Sequence, residues 1–234
     1  MPCFLSGRAA AGAFASAAGV PIYEYSHQNG HVMAAVYSSG QSDILTENNS
    51  FYAFHVSGGT TELLRVTPNG TAFSCSLIGE TDDINAGQAI DRVGVAMGLS
   101  FPCGRELEAL ASEYTDKPYK HSVTVRDIRC SLSGAENIAL KIYRDTADKN
   151  ATAAFVFDFI EKTLAKMTEQ AIEKYGKAPV IYAGGVMSNR IMRDGLSRKF
   201  EAYFSEPEFS ADNAAGIALL CRREYISSRM ENNR

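Results

Sequence analysis

Between Phe51 and Ile78 three short apolar runs follow one another with only glycine-bearing turns between them, and from Ala178 onward strand-like and helix-like segments alternate. That succession constrains the fold more than any other feature of the chain. Phe51 to Val56 and Glu62 to Val66 flank Ser57-Gly58-Gly59-Thr60-Thr61, and Thr71 to Ile78 follows Pro68-Asn69-Gly70, so three consecutive antiparallel strands are expected. Ala178 to Ala183 reads as a buried strand, Ser188 to Lys199 as a helix, Ala202 to Phe204 as a short strand and Asp212 to Ser228 as the closing helix. This βαβα order marks a doubly wound unit. Between the two parts, apolar residues recur at helical intervals over Asp83 to Leu99, Gly104 to Tyr114, Ser133 to Asp145 and Thr152 to Tyr175, with a charged, turn-rich connection from Lys117 to Arg129. The pattern as a whole predicts a two-lobed α/β protein.

The start of the chain reads as a small-residue helix over Ala9 to Gly19, a short strand over Val20 to Tyr25, a helix over His27 to Tyr37 and a polar loop over Ser39 to Ser50. No strand precedes the first helix, and alternating chains rarely begin inside a unit. An upstream portion of the fold is therefore expected to be missing. The formal charge of −4 argues against a protein that coats nucleic acid through a broad cationic surface. The five cysteines, Cys3, Cys75, Cys103, Cys130 and Cys221, are odd in number and never paired as Cys-x-x-Cys, which fits reduced thiols and core packing rather than a disulfide frame or zinc ribbon. No run reaches the roughly 18 to 20 apolar residues of a membrane span, and no secretory signal opens the chain, so a cytoplasmic location without membrane contact is expected.

Four constellations carry chemistry. His27 and His31 stand four positions apart, so on a helix both imidazoles face one side and can share a metal ion. The alternative is that His27 caps or packs a helix and His31 is a core residue. Gln28 follows the first histidine where a metalloprotease needs a glutamate base, so a metal here would grip a ligand rather than arm a water for peptide hydrolysis. Asp212, in Ser210-Ala211-Asp212-Asn213, is the candidate third ligand or else a helix cap. Ser57-Gly58-Gly59-Thr60 follows an apolar strand and suits either a phosphate or a tight hairpin. On one helix Asp83, Gly87 and Asp91 would form a stripe on which a sugar hydroxyl could lie, with Asp91 the candidate ribose contact; Asp82 and Asp83 also suit the first turn of a helix on electrostatic grounds. Gly184-Gly185-Val186-Met187-Ser188-Asn189-Arg190 ends a buried strand and opens a helix, the usual place for ligands in open α/β sheets. Asn189 could read a base or ribose there, and Ser188 suits an N-cap.

Taken in order, these words resemble the TsaD/Gcp/Kae-type family of tRNA threonylcarbamoyladenosine synthases, actin-like proteins of the sugar kinase and Hsp70 class. His27-x-x-x-His31, Val56-Ser57-Gly58-Gly59-Thr60, Gly79-Glu80-Thr81-x-Asp83, Ala86-Gly87-x-Ala89-x-Asp91, Pro102-x-Gly104, Ser131-x-Ser133-Gly134, Gly184-Gly185-Val186-x-x-Asn189-Arg190 and Asp212-Asn213-Ala214 carry the likeness from about Met1 to Arg222. The chain looks closest to a shorter, clostridial-type paralogue branch. The resemblance implies an actin-like, ribonuclease H-like fold in which residues 1–50 are the remnant of an incomplete N-terminal lobe and residues 51–234 form the C-terminal lobe, with a helical insertion around 84–175. It implies one divalent transition metal, iron or zinc, held by His27, His31 and Asp212. It also implies an ATP- or adenylate-type nucleotide touched by His55, Val56, Ser57, Gly58, Gly59, Asp91, Gly104, Glu108 and Asn189. The implied activity transfers the threonylcarbamoyl group of threonylcarbamoyl-adenylate to N6 of a tRNA adenosine, with family-type protein subunits or a homodimer as partners. No side chain is singled out as a catalytic acid or base.

Departures from the family bear on that activity. The opening strands and their Asp-Thr-Ser loop have no counterpart, Cys103 and Arg105 interrupt a Pro-Gly-Gly-Pro, Gln88 stands for a common glutamate, and Ala135-Glu136-Asn137 replaces Leu-Lys-Thr. The rival reading is a truncated, non-catalytic paralogue that serves as a binding or scaffold partner, and a zinc glycoprotease is the third. Arg190, Arg193, Arg198 and Lys199 cluster on one expected helix, either as a tRNA contact or as a solvated face.

Overall fold

The computed structural model describes residues 2–45, 49–209 and 213–232. Its centre is strand β1 (Phe51–Val56), whose residues are nearly all buried. A strand covered on both faces reads as a continuous apolar run, as β1 does. β2 (Thr61–Asn69) and β3 (Ala72–Glu80) follow as the expected antiparallel meander. On its other edge β1 pairs in parallel with β6 (Val180–Ala183), which pairs in parallel with β7 (Ala202–Phe204). The sheet order is β3-β2-β1-β6-β7.

Alternation along β1 sends neighbouring side chains to opposite faces. Tyr52, Phe54 and Val56 enter a core shared with α3 (Ala86–Ala96), α4 (Gly104–Glu113), α5 (Ser133–Thr146), α6 (Lys149–Tyr175) and α7 (Arg190–Ser197). Phe51 and Ala53 enter a second core with α2 (His27–Ser38), whose other cover is α8 (Ala215–Asn232). α2 and α8 cross at two glycines: a Cβ on Gly216 would stand 1.9 Å from the Gly30 carbonyl oxygen, so the backbones touch. α1 (Pro2–Ala18) lies apart, with Phe14 73% exposed and Arg8 paired to Glu24 at 2.7 Å.

Three expectations need correction. Val20 to Tyr25 is not a strand; it is irregular and pairs with no strand of the sheet among the described residues. The helix expected from Asp83 starts at Ala86, capped by Asn85 and Gln88 in a reciprocal box, which leaves Asp83 in the preceding turn. The connection from Lys117 contains a small hairpin, β4 (Val125–Arg126) and β5 (Arg129–Cys130), closed by Asp127 and Ile128 with positive φ.

The parallel strands are held in register by stacked aromatics. Phe54, Tyr182 and Phe204 are paired in the ladder, and their rings stack at centroid separations of 5.0 and 5.2 Å. Tyr182 is fully buried, and its hydroxyl lies 3.1 Å from that of Thr168 on α6. Tyr182→Ala should cost about 3–5 kcal/mol in denaturant unfolding, the range for removing a buried ring. Tyr182→Phe, which keeps the stack, should cost about 1 kcal/mol, the scale of one hydrogen bond.

Candidate functional site

Two cavities open at the carboxyl ends of β1 and β6, where the sheet changes from antiparallel to parallel pairing and where such sheets collect ligands. They lie on either side of one turn, Ser57 to Thr60. Ser57 fixes that turn: its N–H donates to the Thr60 carbonyl at 2.8 Å, and its hydroxyl accepts from the N–H of Gly59 and Thr60 at 3.2 and 3.1 Å. Gly58 and Gly59 lie outside the positive-φ region that favours glycine and have open space where a Cβ would sit, as do Gly104 and Gly185. Packing and backbone strain do not require glycine at these four positions. Gly87 differs, because a Cβ there would meet the Gly58 backbone at 2.7 Å, so it brings the first turn of α3 against the Ser57 turn. Gly184 does the same for β6 against Val56 and has a φ of 103°.

The first cavity, about 420 Å³, is lined by Gly58, Gly87, Asp91, Gly104, Glu108, Gly185 and Asn189, with Arg105 the one cationic lining residue among the described residues. Asn189, rather than Ser188, caps α7: its Oδ1 accepts from the Met192 N–H at 2.9 Å. Its Nδ2 is buried with no partner among the described residues. A buried amide donor left over in this way is costly unless a ligand takes it. One Asp91 oxygen accepts from the Cys103 N–H at 2.8 Å and one Glu108 oxygen from the Arg190 N–H at 2.7 Å, so both carboxylates are aligned by backbone and keep a second oxygen. Val56 faces the core with no exposed surface.

The second cavity, about 340 Å³, lies under the N-terminus of α2 and is lined by His27, Gln28, His31, His55, Thr60 and Glu62 above an apolar floor. Ser26 caps α2 by accepting from the Asn29 N–H at 3.1 Å, which orients its first turn. The Nε2 atoms of His27 and His31 are 2.9 Å apart. That is a hydrogen-bonding distance between two rings that stand four positions apart and line the same cavity, an arrangement from which two imidazoles can share an ion. Among the described residues no group of three or more His, Cys, Asp or Glu is arranged to hold an ion. Asp212 lies outside the described residues. His55 shares this cavity with the pair, because its position on β1 points to the α2 side.

The stripe of Asp83, Gly87 and Asp91 does not exist, since Asp83 precedes α3. Asp83 instead holds the N-terminus of α5, accepting from the N–H groups of Leu132 and Ser133 at 2.8 and 3.1 Å and from the Ser131 hydroxyl at 2.5 Å. Burial works to raise its carboxyl pKa, but the Ser131 and Ser133 hydroxyls and the Leu132 and Ile84 N–H groups outweigh it and hold the group well below the usual carboxylate range. Glu62, which motif spacing does not single out, shares the inward face of β2 with Leu64 and Val66; burial and Glu80 push its carboxyl up. A charged residue at an inward alternate position was the available signal. In the expected basic run, Arg193 lies over the Phe204 ring at 4.9 Å and Lys199 pairs with Glu161 at 3.0 Å. Both are engaged within the chain. Four cysteines are free thiols, and burial pushes that of Cys130 up to about 12.

A five-stranded mixed sheet with helices on both faces and cavities at its switch point is an α/β protein of the actin-like, ribonuclease H-like class. The solved structure of full-length HypF in its phosphate- and nucleotide-bound form shares the fold, with a TM-score of 0.64 over 88% of this chain and 36% of that one, at 14% identity. Residues 1–219 match the profile of the TsaD family, described as tRNA N6-adenosine threonylcarbamoyltransferase, and the chain belongs to that family. Proteins of that description from Streptococcus pyogenes serotypes M18 (strain MGAS8232) and M5 (strain Manfredo) are each 32% identical over 97% of this chain and 67% of their own length. No described helix is long and apolar enough to cross a membrane.

Asp83 supplies a pH test. Its folded carboxyl pKa lies below the ordinary value, so its contribution is present above that value and is lost as pH falls toward the folded one. Asp83→Asn should lower stability at pH 7 by about 1 kcal/mol, the scale of a helix cap on a partly exposed group. The difference between variant and parent should shrink in urea titrations as pH is lowered below about 4.

Proposed function

We propose that the chain binds an acyl-adenylate across the Ser57 to Thr60 turn and transfers the threonylcarbamoyl group to N6 of a tRNA adenosine. The observation that carries this reading is the unpartnered Asn189 amide in a cleft bordered by glycines that the fold itself does not require. Bare glycines let phosphate and sugar approach the backbone, and the free oxygens of Asp91 and Glu108 suit ribose hydroxyls. The imidazole pair across the turn stands where the acyl half would lie.

In the transfer the N6 amine attacks the carbamoyl carbonyl carbon and a C–N bond forms. The bond from that carbon to the adenylate oxygen breaks, AMP departs with the electron pair, and the amine proton passes to solvent. His27 and His31, with Asp212, would hold an iron or zinc ion, which when bound polarises the carbonyl as a Lewis acid. The chain's own contribution is to orient: the cleft fixes the nucleotide, and the turn sets the carbonyl beside the imidazoles. Gln28 fits this role, since no general base is needed next to His27.

Calorimetry with ATP and AMP tests the nucleotide half. Asn189→Leu should weaken binding by about tenfold, the worth of one buried hydrogen bond. Gly58→Val should abolish binding while leaving thermal unfolding unchanged, because its side chain would enter the open cleft. Metal analysis should find a stoichiometric transition metal that is lost in His27→Ala and Asp212→Ala. A protein free of metal, equally stable in both variants and inert toward tRNA and threonylcarbamoyl-adenylate, would instead be a binding partner without catalysis.

A further inference from the structure

A third hollow, about 630 Å³, opens along the outer face of α3, where Arg92, Val95 and Ala96 line it together with Phe101 from the loop that follows. Gly58 and Asp91 line both this hollow and the first cavity, and Pro102, next to Phe101 in the chain, lines the first cavity. The two spaces therefore adjoin. Phe101 is 74% exposed, more than any other large apolar side chain among the described residues, and Val95 in the same hollow is 53% exposed. We propose, on the reading that a tRNA adenosine is the acceptor, that the Phe101 ring is a stacking platform for an unpaired RNA base next to that adenosine.

Three observations lead to it. The loop that carries the ring is fixed on both sides: Leu99 packs against the core beneath α3 and its N–H donates to the Gly94 carbonyl at 3.0 Å, while the buried Cys103 donates its N–H to Asp91 at 2.8 Å. A Cβ on Gly94 would stand 2.3 Å from that of Cys103, so loop and helix touch and the exposed ring is held in place. The hollow also offers what an unpaired base takes up. Beside the aromatic face lie the apolar Val95 and Ala96 and the half-exposed guanidinium of Arg92, which Glu136 holds at 3.1 Å and whose plane also suits a base. Finally, chemistry on a base takes it out of its stack, so the nucleotide beside the acceptor loses a stacking partner. An aromatic surface that meets the first cavity at Gly58 and Asp91 stands where that neighbour would lie, and this continuity favours RNA over a separate protein contact.

The test uses the full chain and an anticodon stem-loop RNA with iodouridine beside the acceptor adenosine. Irradiation should crosslink the iodouridine to Phe101, as mapped by mass spectrometry. Phe101→Ala should weaken binding of the stem-loop by about ten- to a hundredfold, the worth of one stacked base, and abolish the crosslink. AMP affinity and thermal unfolding should stay at parental values in that variant, because the side chain is exposed and lines the hollow rather than the first cavity. Phe101→Trp should keep both the affinity and the crosslink, whereas Phe101→Leu should lose them. Parental RNA affinity in Phe101→Ala or Phe101→Leu, or a crosslink that maps elsewhere, would overturn the proposal while leaving the acceptor reading intact. Self-association of the parent that Phe101→Ala abolishes without changing RNA affinity would make the hollow a protein contact and overturn it too. A parent that binds no stem-loop would overturn the acceptor reading as well.

Discussion

The stacked rings of Phe54, Tyr182 and Phe204 set the register of β1, β6 and β7, and the rest of the site depends on that register. Parallel strands have no hairpin to fix their alignment; here β1 and β6 are separated by four helices and meet only through tertiary contacts. A slip of one residue would exchange the two faces of a strand and send His55 into the wrong core. Flat, fully buried rings at matching positions make such a slip expensive, and the hydroxyl of Tyr182 ties the stack to α6. With register fixed, Gly184 falls against Val56, and Gly58 and Asn189 line one cavity.

Backbone contacts then bring the remaining elements to the same place. Gly87 places α3 on the Ser57 turn, Gly216 places α8 on α2, and a Cβ on Gly79 would meet the Ile128 carbonyl oxygen at 2.4 Å, which seats the β4–β5 hairpin on β3. That hairpin leads into Leu132 and Ser133, whose N–H groups Asp83 collects. The acid therefore joins the end of the meander to the start of α5, and the glycine-rich words of the sequence divide into two kinds. Gly79, Gly87, Gly184 and Gly216 are there because the chain touches itself; Gly58, Gly59, Gly104 and Gly185 leave room.

Much of this was legible in the residues. The meander, the alternating last third and the His27 to Tyr37 helix follow from periodicity and turn chemistry, which are local. The grouping of Gly58, Asp91, Gly104, Glu108 and Asn189 around one cavity came through the family resemblance, since no local rule brings β1, α3, α4 and α7 together. Val20 to Tyr25 has strand composition but no partner edge, and composition alone cannot supply one. Asp83 was misplaced because an acid before a helix looks like part of its first turn, while the groups it serves lie about fifty residues on, at Leu132 and Ser133. The cap at Asn189 rather than Ser188 is a one-residue difference with a chemical consequence: capping uses the amide oxygen and leaves the buried nitrogen without a partner among the described residues.

The division between the two cavities is itself a result of strand geometry. His55 and Val56 are adjacent in sequence, yet one meets the imidazole pair and the other the core beneath the first cavity. The strand ends at Val56, and in the turn that follows Gly58 and Gly59 carry no side chains. Gly58 lines the first cavity and Thr60 the second, so this turn borders both. The pleat of β1 thus divides the two cavities by turning adjacent side chains to opposite faces.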